Sequence, residues 1–217
     1  MEDIFNQPTE MVQIRDVSRQ QGEIQRAAQL LKAGELVAFP TETVYGIGAL
    51  GLNVEAVEKL YAAKNRPAGK AFSLQVANVN MIQQIAAYVP LMARKLLEKF
   101  APGPITVVLP KAAQVPELVT GGRDTVGIRI PDNPVALAVL QAVGAPLAVP
   151  SANISGHVSP KSGADVFGDM AGRLALILDG GPCAIGREST IVDCIGSKPV
   201  IIRHGAISDE EIYKAVE

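Results

Sequence analysis

The chain has 217 residues, 48% hydrophobic and 19% charged, a balance that suits a packed core and excludes a disordered chain. Its formal net charge of −2 supplies no global positive field toward nucleic acid or an anionic membrane, so any RNA contact must rest on a local patch. No stretch approaches the roughly 20 apolar residues of a membrane helix, and no membrane association is expected.

Helix and strand patterns alternate along the chain. Residues 23–32 place Ile24, Ala27, Ala28 and Leu31 on one helical face, and Gly34 supplies the stop. Residues 36–39 read as a buried strand ending at Pro40, and Asn53 is placed to cap a second helix carrying Val57, Leu60 and Tyr61. A strand at 72–76, helical stretches at 79–87 and 90–100, and strands at 105–109 and 125–130 follow. Asn133 and Pro134 open a helix as its cap and first residue, and Gly144 ends it. Further strands are expected at 147–149, 174–178, 190–195 and 200–203, the last two forming a hairpin across 196–199. Ser208 and Glu211 make a capping box for a final helix. The fold class expected is α/β, one domain over 1–217, with a mixed sheet. Residues 1–10 carry acids and no apolar run, unlike a signal or transit peptide. Cys183 and Cys194 have the spacing of neither a metal pair nor a disulfide framework, so buried, reduced thiols and a cytoplasmic location are expected.

Gly46, Gly48 and Gly51 fit the GxGxxG dinucleotide fingerprint. Residues 64–78 contain no Asp or Glu to hold a ribose, and residues 40–45 separate the glycines from the preceding strand. The glycines are therefore read as a long loop in which backbone approaches backbone or a ligand.

Polar clusters stand at the ends of apolar strands, where α/β proteins place ligand sites. They are Pro40–Gly46, Lys64–Pro67, Pro150–Gly156, and Ser189-Thr190 together with Arg203. The plain alternatives are a solvated helix end for Lys64 and Arg66 and simple turn formation for Ser151 and Asn153. Arg129, inside an apolar run, needs an anionic partner: an internal acid such as Asp132 or Asp193, or a substrate carboxylate.

In order and spacing, the strings FPTETVYGIG, AKNRP, PGPIT, VGIRIP, PSANISG and ESTIVD resemble the YrdC-like L-threonylcarbamoyladenylate synthases over about residues 22–207. The paired Lys-x-Arg and Ser-x-Asn of active members stand here as Lys64/Arg66 and Ser151/Asn153. The resemblance implies a single-domain, twisted, open sheet with flanking helices and a large concave cavity. The implied reaction joins L-threonine, bicarbonate or CO2, and ATP into L-threonylcarbamoyl-AMP and pyrophosphate, with Mg2+ accompanying the ATP. A threonylcarbamoyl transferase complex acting on tRNA would receive the product.

Residue by residue, the resemblance assigns Lys64, Arg66 and Arg203 to the triphosphate, and Thr125, Ser151, Asn153 and Ser159 to the nucleotide. It assigns Arg129 to the threonine carboxylate, and Thr41, Ser189, Ser73 and backbone near Val149 to the rest of the amino acid. The competing readings are a related carbamoyl-adenylate hydrolase or transferase, and a non-enzymatic double-stranded RNA-binding module. Weak RNA binding is also compatible with the synthase reading.

Overall fold

The computed structural model describes residues 8–217, so most of the N-terminal stretch read above as neither signal nor transit peptide lies outside the described residues. In chain order the strands are β1 (Glu10–Gln13), β2 (Val37–Phe39), β3 (Gly46–Leu50), β4 (Ser73–Gln75), β5 (Ile105–Pro110), β6 (Thr125–Arg129), β7 (Leu147–Ala148), β8 (Leu176–Asp179), β9 (Thr190–Asp193) and β10 (Val200–Arg203). The helices are α1 (Gln21–Lys32), α2 (Val54–Ala63), α3 (Leu91–Phe100), α4 (Glu117–Thr120), α5 (Pro134–Val143), α6 (Gly163–Met170) and α7 (Asp209–Val216), with a 3-10 helix at Val79–Gln84.

The ten strands form one open sheet in the order β1-β8-β2-β3-β7-β4-β6-β5-β9-β10. It is mixed: β4 runs parallel to β6 and β5 to β9, whereas β2–β3, β3–β7 and β9–β10 are antiparallel. The expected hairpin is β9–β10. Helix α1 packs on α5 and on β2 and β3, and α3 packs on β5 and α7.

Local signals placed the caps correctly. Asn53 Oδ1 accepts from Ala56 N, Asn133 Oδ1 accepts from Val135 N and Ala136 N, and Ser208 with Glu211 closes its capping box. Each bond spans two or three residues, which is why a linear pattern reveals it.

Four elements were not anticipated. β1 is an edge strand with an exposed pattern and no apolar alternation. Helix α4 has only four residues, and α6 contains Gly163 and Gly168, poor helix formers, although Ser162 and Asp165 form a capping box before it. The fourth corrects a reading: Gly46–Leu50 is not a long loop but β3, paired antiparallel with β2. The glycines do serve close approach. A Cβ on Gly46 would stand 2.4 Å from Val149 Cγ1, and one on Gly48 would stand 2.9 Å from the Phe39 ring. Both thiols are free; Cys194 is buried but Cys183 is only half-buried, and burial pushes them up to about 12 and about 11.

Candidate active site

A recess of about 200 Å³ opens over the centre of the sheet. Its wall is built first by the loop between β2 and β3. Thr41 Oγ1 accepts from Thr43 N and Val44 N and donates to Val44 O at 2.7 Å, fixing a tight turn. Tyr45 Oη lies 2.9 Å from Asp179 Oδ1 and 2.7 Å from Gly181 O, which anchors the loop to the end of β8. Burial, followed by that hydrogen bond to Asp179, raises the phenol's pKa.

The 150–153 segment lies alongside, with Ile47 N donating to Pro150 O and Ala152 N to Tyr45 O. Lys64 caps the C-terminus of α2, and Asn65 ends the helix with a left-handed φ of 48°. Arg66 then turns back, donating to Lys70 O and Ala71 O with its guanidinium 4.8 Å above the Phe72 ring. Neither cation lies on a solvated helix end.

Lys64 is 1% exposed and does not line the recess; its Nζ donates to Ser151 O and Asn153 O. The expectation that this side chain faces a ligand is therefore corrected: its visible partners are two carbonyls of the Ser151–Asn153 turn. Burial, and secondarily repulsion from Arg66, holds the amine down to about 7. Asp169 and Glu188 oppose that shift.

The internal acid facing Arg129 is Glu42, not Asp132 or Asp193. Arg129 Nη2 donates to Glu42 Oε1 at 2.7 Å and to Thr43 Oγ1 at 2.9 Å, and Nε donates to Gly103 O at 3.3 Å. The other oxygen of Glu42 accepts from Asp132 N. Arg129 still lines the recess, so its guanidinium is oriented from behind while part of it remains available in front. Arg203, at the end of β10, donates to Glu188 Oε2, Ser189 O and Ser189 Oγ.

Eight of the twelve expected residues line the recess: Thr41, Arg66, Ser73, Arg129, Val149, Ser151, Ser189 and Arg203. Lys64, Thr125, Asn153 and Ser159 do not. Asn153 is buried and ties its own turn through Ile154 O and His157 O, and Ser159 Oγ donates to Glu188. Thr125 begins β6, whose far end carries Arg129. Two expected contact hydroxyls already have partners: that of Thr41 in its turn, and that of Ser189 between Thr106 and Arg203.

Sequence reasoning missed Gln75, Thr106 and Glu188 in the lining, and gave no individual role to Thr43 or to Glu42 behind it, although both stand in the Pro40–Gly46 cluster. Gln75 carried a signal, being polar within the apolar run 72–76. Three guanidiniums and one carboxylate, Glu188, face the recess, so it is locally cationic although the chain is not. Such a set of fixed donors suits a polyanionic ligand.

The chain is similar to known proteins over most of its length. A sequence profile of the Sua5/YciO/YrdC family, described as "Telomere recombination", matches residues 29–205. Threonylcarbamoyl-AMP synthase of Bacillus subtilis is 43% identical, over 93% of this chain and 58% of its own length. The crystal structure of Pyrococcus abyssi Sua5 complexed with L-threonine superposes with a TM-score of 0.91 at 41% identity, over 97% of this chain and 61% of that one. Escherichia coli YciO superposes with a TM-score of 0.82 at 25% identity, over 94% of this chain and 98% of that one. The chain thus spans little more than half the length of the Bacillus and Pyrococcus proteins.

Proposed function

The chain belongs to the Sua5/YciO/YrdC family, and on that premise we propose that it makes L-threonylcarbamoyl-AMP from L-threonine, bicarbonate or CO2, and ATP. The observation that carries the reading is the convergence of Arg66, Arg129 and Arg203 on one recess. The relatives that match over most of this chain include a threonylcarbamoyl-AMP synthase and a Sua5 crystallised with L-threonine.

Two condensations are required. The threonine amine takes up bicarbonate with loss of water, giving a carbamate. A carbamate oxygen then attacks the α-phosphorus of ATP, and the bond to the β-phosphate breaks to release pyrophosphate. The carbamate is already an anionic nucleophile, so the site must chiefly bring two anions together. Arg129, held in orientation by Glu42, receives the amino-acid carboxylate. Arg66 and Arg203 spread the phosphate charge, and Ser151 hydrogen-bonds the nucleotide. Lys64 and Asn153 act one layer back, holding the Ser151 turn in place, while Ser159 holds Glu188.

Among the described residues no group of three His, Cys, Asp or Glu side chains is placed to hold a metal ion. Both oxygens of Glu188 are taken, by Ser159 and Arg203. A resident metal does not fit this donor set, so Mg2+ belongs to the substrate and arrives on the triphosphate. The adenylate, once formed, is a substrate for a transferase that modifies tRNA. Among the described residues no helix is long and apolar enough to cross a membrane.

Pyrophosphate release should require threonine, bicarbonate and ATP together, with a product of the adenylate's mass. Release without threonine, or a different product mass, overturns the reading. Ser151→Ala should weaken ATP binding more than threonine binding in calorimetry with each ligand alone. Asn153→Ala should do the same less directly, by releasing the turn that it ties to Ile154 O and His157 O. Unchanged ATP affinity in both variants would reduce the turn to a structural element.

A further inference from the structure

One buried polar atom in the lining of the recess has no partner within the protein. Gln75 lines the recess and is 3% exposed, and its Oε1 is buried without a hydrogen bond. Buried side-chain polar atoms in folded proteins nearly always have a partner, so an orphan in a ligand cavity points to the ligand.

The neighbours of Gln75 fix where that ligand lies. β4 and β6 run parallel, with Gln75 opposite Arg129 and Ser73 opposite Gly127. Ser73 and Gln75 are two residues apart on one strand and project from the same face. Gly127 adds no side chain there; a Cβ on it would stand 2.9 Å from Ser73 Oγ. The Gln75 amide thus stands beside the guanidinium that receives the amino-acid carboxylate. The hydroxyls of Thr41 and Ser189, by contrast, already have internal partners.

Chemistry then selects the group that the amide meets. Carboxylate, carbamate and phosphate are acceptors, and three guanidiniums, which only donate, await them. An unpartnered carbonyl oxygen needs a donor. A primary amide accepts and donates at one place, and its neutral complement is a hydroxyl, which does both. We infer that Gln75 is a specificity-determining residue, whose amide pairs with the side-chain hydroxyl of the amino acid held by Arg129. This rests on the reading of the recess as an amino-acid and ATP site.

The test is amino-acid-dependent pyrophosphate release at fixed ATP and bicarbonate, with threonine and valine compared on wild type, Gln75→Met and Gln75→Asn. Methionine keeps the length without donor or acceptor; asparagine keeps the amide but withdraws it by one methylene. A site that pairs a hydroxyl can favour threonine over its near-isostere valine by about 10⁴ in kcat/KM. That ratio should fall at least ~10²-fold in both variants, through a higher threonine KM, a higher kcat/KM for valine once no amide is stranded against its methyl group, or both. An unchanged ratio overturns the inference. An equal loss with both amino acids also overturns it, since the amide would then hold the amine or carboxylate. If Gln75→Met fails to fold by circular dichroism, Gln75→Asn carries the same comparison. A wild type that turns over threonine and valine equally defeats the role of Gln75 alone, whereas one releasing no pyrophosphate with any amino acid defeats the function and this role together.

Discussion

Lys64→Ala is expected to lower adenylate formation, because the Ser151 turn that meets the nucleotide loses its anchor, and to lower stability as well. Because the side chain is 1% exposed, alanine leaves a void and strands the carbonyls of Ser151 and Asn153. A cavity and unpaired buried acceptors together cost about 2–5 kcal/mol. Lys64→Met separates the causes, since it fills most of the void but donates nothing. Thermal melting and pyrophosphate release on both variants check this. If Lys64→Ala melts like wild type, the buried position is wrong; wild-type turnover in Lys64→Met would show that the Ser151 turn holds its place without the amine's two hydrogen bonds.

The same residue predicts a pH signature. Burial lowers the folded pKa from 10.5 to about 7, with repulsion from Arg66 as the second cause. Between those values the unfolded chain binds more protons than the folded one, so stability should rise as pH climbs from about 7 toward 10.5. Below about 7 the cost of the buried ammonium is fully present. A neutral amine still has two N–H donors, enough for both carbonyls. Denaturant titrations across this range should show the rise in wild type and lose this component of it in Lys64→Met.

The second large effect is expected at Arg129. Arg129→Ala leaves Glu42 as an uncompensated carboxylate with a side chain only 8% exposed, and breaking a buried pair in this way costs about 3–5 kcal/mol. Arg129→Lys keeps the charge but cannot reproduce the fork that reaches Glu42, Thr43 and Gly103 at once. Its threonine KM should rise about 10–100-fold, the equivalent of about 1.5–3 kcal/mol for one charged hydrogen bond. The ATP KM should move far less. Lower stability with an unchanged threonine KM would leave Arg129 a purely internal partner of Glu42.

What the sequence determined by itself is whatever short-range bonds encode. The caps at Asn53, Asn133 and Ser208 and the stops at Gly34 and Gly144 were legible because each bond or left-handed turn lies within a few residues of its cause. The apolar runs likewise announced most of the strands, and eight of the residues that the motifs singled out line one recess. β3 was not legible, because Gly46 and Gly48 are poor strand formers whose use appears only when Val149 and Phe39 press against them. The partner of Arg129 stands 87 residues away in sequence, and several acids competed for that place. The burial of Lys64 was hidden more deeply, since its partners are backbone carbonyls 87 and 89 residues away, and every residue has a carbonyl. Tertiary structure alone decided which polar groups were already satisfied by the protein, and so that a buried atom of the recess lining, Gln75 Oε1, was left without a partner. Hydrogen-bond satisfaction depends on which atoms lie within about 3 Å, a property of the folded arrangement and not of any residue type.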